Sequence, residues 1–183
     1  MLNMRITLKA MFQYAIVIFV IFAIVSACKK DDGDDTPAHD YVGTWVVTGN
    51  VTNDEVTFEM KDIMTFTEGT FTEIMQIKNP ATSQWINYLG MKGTMTVNGK
   101  AMNINVNEAG ISTIDPVSGV PSGTITYYKN NQNEFTQFME LLEMPATFQS
   151  EYEVSGNKLT FKTDYNADSD YNDEDEVSVY TRQ

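Results

Sequence analysis

The side chains able to do chemistry are few and badly placed for catalysis. His39, the only histidine, and Cys28, the only cysteine, both precede the segment whose pattern suggests folding. Neither a Ser-His-Asp nor a Cys-His arrangement can therefore be assembled there. No HExxH, CxxC pair or phosphate-cradling glycine loop occurs, which removes the common zinc and nucleotide chemistries. Any two of the many acids could meet in space for glycoside hydrolysis, but no spacing singles out a pair. The densest group is Asp164, Asp168, Asp170, Asp173, Glu174, Asp175 and Glu176. Asp168-Ser169-Asp170-Tyr171-Asn172 offers oxygens at alternate positions, as a calcium loop does, yet Asp173 replaces the required glycine and Val179 fills the twelfth position. A solvated hairpin tip explains the run better than a metal site. The expectation is no enzyme, no cofactor and no metal.

The N-terminus bears on location. Met1 to Lys9 carries Arg5 and Lys9 and no acid, Ala15 to Val25 is unbroken apolar sequence, and small residues precede Cys28. This is the layout of a secretory signal peptide over residues 1–27. A membrane-spanning helix is the alternative, but the apolar run falls well short of the ~20 residues a bilayer crossing needs. Val25-Ser26-Ala27-Cys28 resembles the lipobox of bacterial lipoproteins, which implies cleavage before Cys28, its lipidation, and membrane attachment through acyl chains. Residues 28–40, with Lys29-Lys30-Asp31-Asp32-Gly33-Asp34-Asp35, have no apolar period and read as a flexible acidic tether. Such a run is similar to the export signal of some Gram-negative surface lipoproteins, implying an outer-membrane, cell-surface location; a plain spacer is the alternative. Without the leader, ten basic side chains face 25 acids, a formal balance of −15. So acidic a chain argues against nucleic-acid partners and against a polybasic grip on lipid.

From Tyr41 the sequence turns to short runs rich in Thr, Val, Ile, Phe and Tyr, punctuated by Gly and Asn, the pattern of one all-β domain over residues 41–183. The expected strands are 41–49, 55–60, 63–67, 70–78, 84–89, 94–97, 101–107, 124–129, 147–154, 158–163 and 176–181. Asn98-Gly99, Glu68-Gly69 and Ser155-Gly156-Asn157 supply hairpin turns, so neighbouring strands should run antiparallel and the sheet should close to hide its edges. One segment has helical period: Phe135, Phe138, Met139 and Leu142 form a single stripe within 133–143, with Asn133 as cap and Pro145 as stop; one more strand is the alternative. Residues 108–123 read as a long loop. Period-two alternation points Trp45, Phe58, Met60, Phe66, Met75, Met95, Met102, Tyr152 and Phe161 inward. Glu73 shares that face, and a bulge or register shift that turns it to solvent is expected, because a buried unpaired carboxylate is costly.

Gly43-Thr44-Trp45 on the first strand, Met64 to Phe71, and the terminal Val177 to Arg182 together resemble the lipocalin-like domains of bacterial surface lipoproteins. The resemblance implies an up-and-down antiparallel β-barrel with Arg182 laid over Trp45 at its closed end, as a structural signature with Gly43. It also implies a cavity for a small apolar or amphipathic ligand, with Phe58, Met60, Phe66, Met75, Met95, Met102, Tyr152 and Phe161 as candidate lining. The methionines would make such a cavity adaptable, or simply fill an irregular core. The alternative is a surface module that binds glycan or protein through the long loop and through Trp85, Tyr88, Tyr127 and Tyr128.

Overall fold

The computed structural model describes residues 40–53, 56–117, 120–164 and 176–183. The expected signal peptide, Cys28, His39 and nearly all of the tether lie outside them, as do residues 165–175 of the acidic run. The described elements are β1 (Gly43–Asn53), β2 (Val56–Phe66), β3 (Thr70–Lys78), β4 (Trp85–Asn98), β5 (Ala101–Ile114) and β6 (Pro121–Lys129). After them come α1 (Asn133–Leu142), β7 (Thr147–Ser155), β8 (Lys158–Thr163) and β9 (Val177–Arg182).

Every pairing is antiparallel, and eight strands close a ring: β1 to β5 in sequence, then β7, β8 and β9, which returns to β1 through Trp45 opposite Arg182. Closure removes the exposed edges that a sheet of this length would otherwise present. β6 is the ninth strand and lies outside the ring of pairings. β5 is long enough to carry two neighbours on one edge, β7 along Ala101–Asn105 and β6 along Glu108–Ile114. The exchange falls on an extra residue in β5, Asn107, where the register to β4 shifts. There Val106 donates its backbone N–H to Ala146 and the Asn107 carbonyl accepts from Asn130.

α1 spans the gap between the two strands that share β5. Its stripe of Phe135, Phe138, Met139 and Leu142 is buried in the common core and packs on β5 and β6. The helix therefore forms where the period predicts it. Its cap differs: Gln132 holds that position, and its side chain accepts from the Lys129 N–H rather than from the helix. Glu143 ends it in the left-handed region at φ 56°.

Three sequence expectations need correction. Segments 55–60 and 63–67 form one strand, β2, and 84–89 with 94–97 form another, β4. Lys61-Asp62 resembles a turn, but within β2 it continues the alternation, as a polar residue on each face. Residues 108–123 are not a long loop, since β5 runs to Ile114 and β6 begins at Pro121. The Gly90 to Gly93 stretch resembles a break, yet an added Cβ at Gly93 would lie 2.0 Å from the Asn105 carbonyl oxygen. Glycine there lets β4 approach β5 without leaving the sheet. The turn after β4 places Gly99, not Asn98, at positive φ, 60°, with Asn98 still paired to Ala101.

Candidate functional site

The barrel interior is built differently at its two ends. At the end where β1 begins, Trp45 is fully buried, and its indole N–H donates to the Tyr41 carbonyl at 2.7 Å. The Arg182 guanidinium lies over the ring, 4.3 Å from its centroid, and also donates to the Asp40 carbonyl. This is the contact expected from the sequence, and it joins the first strand to the last. Tyr41 meets Phe66 edge-on at 6.3 Å and Tyr152 at 5.4 Å, while Phe66 lies 6.1 Å from Phe161. These aromatics plug that end. Contacts of this geometry add about 0.5–1.5 kcal/mol each beyond their buried area.

The eight expected lining residues therefore divide. Phe66, Phe161 and Tyr152 belong to the plug, and Met95 and Met102 are buried core. Phe58, Met60 and Met75 share the same inward face of β2 and β3 but lie farther from Trp45 and remain half-buried.

Between the plug and those residues sit two carboxyl groups. Asp62 on β2 is opposite Val47 and Met75; Glu73 on β3 is opposite Met64 and Met91. They are diagonal neighbours on one face of adjacent strands, a separation of roughly 7–8 Å that long side chains bridge. The expected turning of Glu73 to solvent does not occur. The bulge in β4 comes at Tyr88, past the residue paired to Glu73, so Glu73 stays in register and only 9% exposed. Glu73 makes no hydrogen bond or ion pair among the described residues.

Tyr180 on β9 donates its hydroxyl to Asp62 Oδ2 at 2.7 Å. Asp62 Oδ1 is sealed from solvent without a hydrogen-bond partner among the described residues. Burial pushes the Asp62 carboxyl up to about 6, offset in part by the Tyr180 hydroxyl and by a backbone hydrogen bond at Ile63. Glu73 is pushed well above its ordinary range by burial first and by the Asp62 charge second. The polar lining continues onto β7 and β8, where buried Ser150 and Thr163 share a hydroxyl hydrogen bond at 2.7 Å.

Asp62 is hidden in the sequence because it falls between two segments that read as separate strands. The available signal was the spacing: Met60, Asp62 and Met64 are at period two, and Asp62 occupies the inward position.

The surface aromatics are less open than the alternative reading requires. Trp85 carries the Lys61 ammonium 4.2 Å over its ring, and Lys78 at 5.8 Å bonds Glu59 beside it. Tyr127 lies beneath Lys92 at 3.8 Å, Tyr88 is buried, and Tyr128 packs against the core. Among the described residues, no group of three or more His, Cys, Asp or Glu could hold a metal ion.

No family model matches the chain, and no curated protein matches it. Among solved structures, the chain is similar to a lipocalin-like protein from Bacteroides uniformis, at 14% identity and a TM-score of 0.38, over 79% of this chain and 99% of that one.

Proposed function

We propose that this barrel is a non-enzymatic binding protein for a small amphipathic ligand, taken up through the end opposite Trp45. We further propose that lipidation of Cys28 holds it on the outer membrane of a Gram-negative cell, facing outward. The observation that carries the ligand reading is the asymmetry of the interior. One end is packed with aromatics, whereas Phe58, Met60 and Met75 stay half-buried along the strands that carry the buried Glu73 and the buried Asp62 Oδ1, neither of which has a hydrogen-bond partner among the described residues. A filled core has no use for such groups, since each costs free energy unless something satisfies it. The lipid anchor rests on the sequence alone. A surface module for glycan has weaker support, because lysines cover a face of Trp85 and of Tyr127.

Native mass spectrometry of the full chain, extracted gently from its source membrane and compared with the denatured chain, tests the reading. A discrete non-covalent mass that disappears on denaturation is the expected result. An empty protein that takes up nothing from a mixture of fatty acids, lipids and amphipathic amines would overturn it. The same spectrum checks the anchor, which predicts a protein that begins at Cys28 and carries acyl chains.

A further inference from the structure

Resting on the ligand-binding reading, we infer that Asp62 and Glu73 form a receptor for a cationic nitrogen, so the ligand is an amphipathic amine or guanidine. The two carboxyl groups are diagonal neighbours on one inward face of β2 and β3, and no described residue supplies either with a cation. No ion pair joins them to any described lysine or arginine. Lys61 and Lys78 lie over Trp85, Lys92 lies over Tyr127 and near Glu108, Lys100 reaches Glu153, and Arg182 covers Trp45. The Tyr180 hydroxyl orients Asp62 Oδ2, and Oδ1 is buried with no hydrogen-bond partner among the described residues.

A bound ammonium would satisfy Asp62 Oδ1 and Glu73 together and cancel their mutual repulsion. Charge-assisted hydrogen bonds of this kind are roughly twice as strong as neutral ones. A divalent metal fits less well, because calcium takes six to eight oxygen ligands and magnesium a full octahedron, and two carboxyls with one phenol fall short. The apolar body of the ligand would lie against Val47, Met60 and Met75, which flank Asp62 along β1, β2 and β3. The raised affinity of the empty pair for protons adds a signature. A cation that binds must displace protons, so its affinity rises with pH until the amine itself loses its charge.

The test is isothermal calorimetry on the full chain in mild detergent with three probes that share one apolar body: 4-phenylbutylamine, 4-phenylbutanol and 4-phenylbutyrate. The amine should bind at least about tenfold tighter than the alcohol, with the carboxylate weakest. Amine binding should release protons, seen as a heat that changes between buffers of different ionisation enthalpy, and alcohol binding should not. Asp62→Asn and Glu73→Gln should each erase the amine's advantage while alcohol binding persists, which shows that the barrel still folds. Equal binding of amine and alcohol, or a preference for the carboxylate, would overturn this inference and leave the ligand-binding reading standing. Failure of all three probes, together with an empty protein in the native spectrum, would overturn both.

Discussion

Asp62 and Glu73 lose water on folding and gain no cation among the described residues, and this gives the protein a specific pH signature. An unfolded carboxyl titrates near 4, whereas Asp62 is pushed up to about 6 in the fold and Glu73 is raised as well. Between those values the folded chain holds protons that the unfolded chain has released, so stability falls as pH rises through the window. Chemical denaturation at about pH 5 and about pH 7.5 should show the ligand-free protein less stable at the higher pH. Glu73→Gln should flatten that slope and add on the order of 1–3 kcal/mol at about pH 7.5. A wild-type stability that rises across the window would contradict the assignment. The residue pair at the closed end behaves oppositely. Arg182→Ala removes a guanidinium from the Trp45 face and a donor from the Asp40 carbonyl. It should cost about 0.5–2 kcal/mol in denaturant midpoint at any pH where carboxyl titration is complete.

At the scale of elements, the strands are held by register and by a few positions where no side chain fits. Gly93 is one such position: its added Cβ would fall 2.0 Å from the Asn105 carbonyl and 2.6 Å from the Phe71 ring. Gly93→Ala must push β4 off β5 and should destabilise by more than about 2 kcal/mol. Gly69→Ala, in a turn with nothing within 4 Å, should be near neutral and serves as the control. If both are neutral, the close approach of β4 to β5 is wrong. The same stretch shows what was legible in the sequence. Alternation revealed the inward faces, and the i, i+3, i+4, i+7 stripe revealed α1, because both periods are local. The Trp45–Arg182 contact was expected because a motif on the first strand and the only arginine after Arg5 marked it. The continuity of β2 through Lys61-Asp62 was hidden, since a polar pair inside a strand and a polar pair in a turn look alike until the neighbouring strands are known. For Glu73 the cost of burial pointed outward, and the register, a property of β2, β3 and β4 together, kept it inside.

Over the whole molecule, ring closure produces an interior with two unlike ends. Pairing of β9 with β1 brings Arg182 to Trp45 and Tyr180 to Asp62, so one strand contributes to both the plug and the acid pair. β5 carries β7 along one half and β6 along the other, and α1 packs where they exchange. Ligand should enter through the end opposite Trp45, reach the acid pair and leave the plug undisturbed. The methionines report on both regions: Met60 and Met75 lie near Asp62, whereas Met95 and Met102 lie in the buried core. Methyl-labelled methionine NMR of the full chain, titrated with 4-phenylbutylamine, therefore distinguishes ligand at the acid pair from ligand at the plug. The Met60 and Met75 methyl resonances should shift and saturate while those of Met95 and Met102 stay in place. Saturable shifts confined to Met95 and Met102, or no saturable shift at any of the four, would contradict it.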